Sequence, residues 1–147
     1  MSADDDLEAA RRWVEQAALD LAAAEDTAVP HPHVACFLCQ QAAEKAVKAL
    51  LYLRGDDHRV GHSITALLRR LPGSEELVDA ADALALDLLY QATRYPDALQ
   101  GMVPARVFTA SQADEALTRA RRIVGVAAQL VAAVGEETPG SDGPPAP

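Results

Sequence analysis

A chain of 147 residues, half of them hydrophobic, carries enough apolar material for one folded domain. Its net charge of −9 argues against a general phosphate-backbone binder, which works through Lys and Arg, but leaves room for a small basic site. No apolar run reaches the roughly 18 residues of a membrane span, and the acidic start MSADDD lacks the features of a signal peptide; no membrane association and a cytoplasmic location are expected.

Abundant Ala and Leu, with few aromatics and few β-branched runs, predict an all-α fold. The first helix is predicted over about Asp4 to Glu25, its three leading aspartates suiting the positive end of the helix dipole. Leu7, Ala10, Trp13, Val14, Ala17, Ala18, Leu21 and Ala24 form its apolar stripe. Asp20 borders that stripe beside Trp13, where an unpaired carboxylate would be costly, so it needs a partner.

Pro30 and Pro32 place the start of the second helix near His33, and VACFLCQQAAEKAVKALLYL carries it to Leu53. One face is an apolar arc of Leu38, Cys39, Ala42, Ala43, Ala46, Val47, Ala49 and Leu50. The other gathers Gln40, Gln41, Glu44, Lys45 and Lys48, with Phe37, Leu51 and Tyr52 among them. Aromatics serve little purpose on a purely solvated face. The helix is therefore expected at the centre of a bundle, with a cleft or interface on its polar side formed by Phe37, Gln41, Glu44 and Tyr52. The alternative for this stripe is a solvated face with intrahelical charge pairs worth only tenths of a kcal/mol.

A polar loop, RGDDHRVGHS, follows, and Ser63 is a plausible N-cap for a short helix with Ile64, Leu67, Leu68 and Leu71 inward. Ser74 opens a helix predicted to run to about Ala92, with Leu77, Ala81, Leu84, Leu88 and Leu89 as its inner face. Residues 95–110 read as an ordered loop, long enough to suggest function. Ser111 to Asp114 resembles a capping box for a last helix to about Val134, with Arg119, Arg121 and Arg122 on its solvated side and Gly135 as its C-terminal cap. Short links between these helices predict an up-and-down antiparallel four- or five-helix bundle over residues 1–135; residues 136–147 read as a disordered acidic Pro/Gly-rich tail.

Generic catalytic motifs are absent: there is no Gly-rich phosphate loop, HExxH, GxSxG or paired-carboxylate motif. Cys36 and Cys39 with His31 and His33 spell HPHxxCxxC, but both thiols fall in the apolar arc of the second helix. They are read as core residues, and neither a metal nor a cofactor is expected. The sharpest local feature is Arg94-Tyr95-Pro96-Asp97, where a helix gives way to a loop. Arg94 either grips phosphate or carboxylate, or pairs internally with Asp20 or Asp97. His58 and His62 flank the polar loop as possible acid/base groups; the alternatives are surface positions or a cap near Ser63.

Trp13-x-x-Gln16-Ala17-x-x-Asp20-Leu21-x-x-Ala24, followed by Cys36-Phe37-x-x-Gln40-Gln41-Ala42-x-Glu44-Lys45-x-x-Lys48-Ala49-Leu50-Leu51, resembles the HEPN domain (higher eukaryotes and prokaryotes nucleotide-binding). His62-Ser63-Ile64-x-x-Leu67-Leu68 and Thr93-Arg94-Tyr95-Pro96-Asp97 look like that family's next landmarks, so the likeness covers roughly residues 7–134. The resemblance implies a helical bundle that commonly forms a homodimer. Many members are ribonucleases, often toxins, that use an Arg followed four to six residues later by His. Others, often encoded beside a minimal nucleotidyltransferase, are partner proteins or nucleotide binders. Arg94 matches the arginine and is the one catalytic candidate, but residues 95–108 contain no histidine. His58 or His62 could substitute only if the fold brought it to Arg94. The leading expectation is a nucleotide-binding or partner module, with Arg94, Lys45 and Lys48 on phosphate, Tyr95 stacking on a base and Asp97 beside them. The rivals are a metal-independent ribonuclease using Arg94 in a dimeric cleft, and a non-catalytic structural dimer.

Overall fold

The computed structural model describes residues 2–56 and 61–137, and their regular structure is helical. Three long helices form its frame: α1 (Ala3–Thr27), α2 (Pro32–Leu53) and α8 (Ala110–Glu137). Between α2 and α8 lie short elements, α3 (Ile64–Leu68), α4 (Ser74–Leu77), α5 (Ala80–Asp87), α6 (Leu89–Ala92), a 3-10 turn (Pro96–Leu99) and α7 (Pro104–Val107). None of the helices among the described residues is long and apolar enough to cross a membrane.

Side-chain pairs fix the helix directions. Asp20 meets Lys45 and Trp13 meets Tyr52, so α1 and α2 run antiparallel across their short link. Glu25 meets Arg121, and Arg11 lies against Gly135, so α1 is antiparallel to α8 as well. A Cβ at Gly135 would meet only the flexible tip of the exposed Arg11 side chain. Gly135 is not a terminal cap, for α8 continues through it to Glu137. The start of the expected tail is thus helical; residues 138–147 lie outside the described residues, as does His58.

Helix α2 is the bundle centre. Ala35, Cys36, Cys39, Ala42, Ala43, Ala46 and Val47 are fully buried, and the small side chains let α1 and α8 pack close. Cys36 and Cys39 are unbridged core residues, and burial pushes their thiols up to about 11 and about 12, which keeps them protonated and unreactive. Pro32 occupies the first turn of the helix, where its missing N–H costs nothing.

Two local expectations give way. The helix predicted over Ser74 to Ala92 is broken: Val78 is extended at φ −129°, ψ 130°, and Asp79 caps a new helix by accepting from Ala81 N at 2.8 Å. An Asp side chain offering its oxygen to the backbone competes with helix continuation. The break resets the register, so Ala83 and Leu86 turn inward while Leu84 and Leu88, expected inside, are 56% and 70% exposed. At α8 the capping box lies two residues earlier than expected. Thr109 Oγ1 accepts from Gln112 N at 3.2 Å, and Gln112 Oε1 accepts from Thr109 N at 2.8 Å. The arginines of α8 are also not merely solvated: Arg119 and Arg122 reach the buried Asp82 of α5 at 3.0 and 3.2 Å, and Arg121 reaches Glu25 at 2.9 Å.

Candidate functional site

The polar side of α2 is largely buried. Gln40 is fully enclosed, and Glu44 and Lys48 are 5% and 8% exposed, so this line of the helix is not the solvated face that stood as the alternative. Spacing of four residues stacks Gln40, Glu44 and Lys48 along one line of the helix, which lets them satisfy one another. Lys48 Nζ donates to Glu44 Oε1 at 2.8 Å, and Gln40 Nε2 donates to Glu44 Oε2 at 3.1 Å. Gln41 Nε2 donates to Gln40 Oε1 at 2.7 Å. The Glu44 carboxylate is the hub, and burying it is tolerable because both oxygens are occupied.

The same hub reaches out of α2. His62 Nδ1 is 3.2 Å from Glu44 Oε1, and the His62 carbonyl accepts from Gln40 Nε2 at 3.1 Å. The next residues are pinned from α5: Asp87 accepts from Ser63 Oγ at 3.1 Å, Ile64 N at 2.6 Å and Thr65 N at 3.0 Å, capping α3 together with Ser63. His62 then stacks on Tyr90 of α6, ring centroids 4.8 Å apart and planes 18° from parallel. Tyr90 also carries Arg94, whose Cζ lies 4.0 Å from its ring centroid and 4.7 Å from that of Phe37 on α2. A guanidinium over aromatic rings gains cation–π attraction without giving up its charge.

Arg94 is the informative member. It has no ion pair among the described residues, and its Nε is buried without a hydrogen-bond partner. Neither carboxylate considered for it is engaged. Asp20 pairs with Lys45 and accepts from Gln16 at 2.8 Å, and Asp97 is exposed on the 3-10 turn. Tyr95 is half exposed beside it.

The sequence candidates therefore divide. Phe37, Gln41, Glu44, Lys48 and Arg94 belong to one connected network, which His62 and Tyr90 complete. Lys45 faces α1 instead, where it holds Asp20 and lines a surface depression of about 290 Å³ with Arg12, Trp13 and Gln16. Tyr52 is buried and stacks on Trp13 at 6.1 Å, with Lys48 Nζ 5.6 Å from the indole. Both lysines expected on phosphate are thus committed to carboxylates. The fold does bring His62 to the arginine, one ring away. Tyr90 is a site residue that the sequence reading does not name, although its position four before Arg94 on a helical stretch is a usable signal. Among the described residues no cluster has the donors to hold a metal ion.

The geometry has relatives. A crystal structure of TT1696 from Thermus thermophilus superposes with a TM-score of 0.74 at 40% identity, over 82% of this chain and 96% of that one. ST0689, described as an archaeal HEPN homologue, superposes with a TM-score of 0.69 at 36% identity, over 83% and 97%. No curated protein matches the chain. The family model for the HEPN domain matches residues 10–130, nearly the whole of the frame described above. With that match and those two structures in agreement, the chain belongs to the HEPN domain family.

Proposed function

We propose that the chain is a HEPN-type binding module that holds a phosphate-bearing nucleotide at Arg94, working with a nucleotidyltransferase-like partner protein and as a homodimer. One observation supports the reading above others: Arg94 keeps its full charge, with two aromatic rings beside it and no carboxylate among the described residues to neutralise it. An arginine that merely locked a corner would be paired. Arginine's rigid donor fork suits phosphate oxygens, and the half-exposed Tyr95 supplies a ring for a base. Lys45 and Lys48 support the site indirectly, by neutralising Asp20 and Glu44.

Calorimetric titration of the purified protein with ATP and GTP tests this reading. Binding at or below millimolar concentration, lost in Arg94→Ala, supports it; no binding, or none lost in the variant, overturns it. Light scattering of the same sample checks the dimer, and co-purification with a nucleotidyltransferase encoded beside it checks the partner.

A second reading, a metal-independent ribonuclease, draws on the placement of His62, which stands one ring from Arg94 with its Nδ1 against a buried carboxylate. RNA cleavage abolished by both Arg94→Ala and His62→Ala would favour it over simple binding.

A further inference from the structure

His62 is held unusually well for an exposed side chain. Its ring is more than half open to solvent, yet its Nδ1 meets Glu44, its face meets Tyr90, its carbonyl is held by Gln40, and the next residue is held by Asp87. A surface histidine with no task has no need of such support.

Glu44 can only accept a hydrogen bond, so Nδ1 carries the proton and Nε2 is left at the opposite edge of the ring. A neutral imidazole there offers a lone pair, which repels an anionic oxygen; an imidazolium offers a second N–H. The charged and titratable groups around the ring, among the described residues, are Glu44 with Lys48 behind it on α2, Asp87 on α5, Tyr90 on α6 and Arg94 beyond Tyr90. Lys48 Nζ already donates to Glu44 Oε1 at 2.8 Å, so this carboxylate is shared between Lys48 and the His62 ring. A phosphate lying along the edge of Tyr90 between Arg94 and His62 supplies the missing negative charge.

We propose that His62 is the second anion contact of the Arg94 site, and that its Nε2 takes up a proton as the phosphate arrives. The inference rests on the nucleotide-binding reading above and adds to it a defined partner and a proton linkage. The proton comes from solvent, bonds to Nε2 and is released when the ligand leaves.

Titration of the full chain with ATP near neutral pH, in two buffers of different ionisation enthalpy, tests it. The wild type is expected to show a buffer-dependent binding enthalpy of the sign that marks proton uptake. His62→Gln is expected to bind about tenfold more weakly, the effect of one charge-assisted hydrogen bond, and to lose the buffer dependence. The ring nitrogens of His62 in the wild type, followed by NMR, supply a readout independent of any variant: Nε2 should move from an unprotonated to a protonated signal on adding ATP. Unchanged affinity or unchanged buffer dependence in His62→Gln, or a stationary Nε2 signal, overturns the proposal. Binding that is lost in Arg94→Ala yet untouched in His62→Gln overturns this inference alone, whereas a wild type that does not bind ATP overturns the Arg94 reading with it.

Discussion

Two arginine corners flank the broken segment α5–α6, and they settle the same problem in opposite ways. At one end Asp82, only 2% exposed, holds both Arg119 and Arg122 of α8. At the other, Arg94 rests on the rings of Tyr90 and Phe37 with no carboxylate among the described residues. In the first corner the buried carboxylate is fully engaged and both guanidinium groups are tied to it. The second stabilises a guanidinium by the ring quadrupole, which leaves its charge available. Cations that tie the fold together and cations held for something else are therefore separable by what neutralises them.

Leu86 is the fulcrum of that comparison. Asp82, Leu86 and Tyr90 succeed one another at four-residue spacing, so one inward ridge carries both corners, and Leu86 is fully buried between them. Leu86→Ala should cost about 3 kcal/mol in urea or thermal unfolding, through lost burial and the cavity left behind. Leu88→Ala, on the open face, should change stability by less than about 0.5 kcal/mol. Equal costs would mean that the helix break at Val78 does not set the register described.

The two corners should then respond to mutation in opposite senses. Asp82→Ala orphans two arginines that are themselves 34% and 63% exposed, so the loss is less than for a wholly buried pair, about 1–2 kcal/mol. Nucleotide affinity should be unchanged. Arg94→Ala should lower stability by less than about 1 kcal/mol, the scale of a cation–π contact, while abolishing ATP binding. A stability loss at Arg94 larger than at Asp82, with no effect on binding, would make both corners structural.

Much of this arrangement was legible in the sequence, and the failures have physical causes. The long apolar stripes of α1, α2 and α8 follow from helical periodicity, and the assignment of Cys36 and Cys39 to the core follows from their place on that period. The register of α5 was not legible, because one Asp cap at residue 79 outweighed a leucine stripe that would have continued the helix. At the site, Arg94 and Phe37 could be named but not joined. Their meeting depends on Tyr90, and His62 reaches the group only because Asp87, more than twenty residues away, pins the start of α3. Polar contacts over such separations leave no periodic trace. The burial of Glu44 and Lys48 was equally hidden, since a Glu–Lys pair at four-residue spacing reads the same on a solvated face as on a covered one.

The limiting case of charge kept from water lies in the core, where Cys36 and Cys39 are fully buried and burial outweighs the opposing charge of Arg121 at Cys39. Burial raises both thiols, to about 11 and about 12 from an ordinary value of 9.0, with the neighbouring Cys36 adding to the shift at Cys39. A thiol held above its unfolded value binds its proton more tightly in the native state. Its contribution is therefore fully present below about pH 9 and is lost as pH climbs toward 11 and 12. Near neutral pH these thiols give stability no pH dependence. In Cys36→Ala/Cys39→Ala the cavity lowers stability at every pH, but the part of the alkaline decline between pH 9 and 11 that belongs to these thiols should disappear, a difference on the order of 1 kcal/mol per thiol by pH 10. Urea unfolding across that range measures it. The same decline in wild type and double variant would place the alkaline sensitivity in other groups, and rapid alkylation of the native thiols at pH 8 would show that the core around α2 opens far more readily than its packing implies.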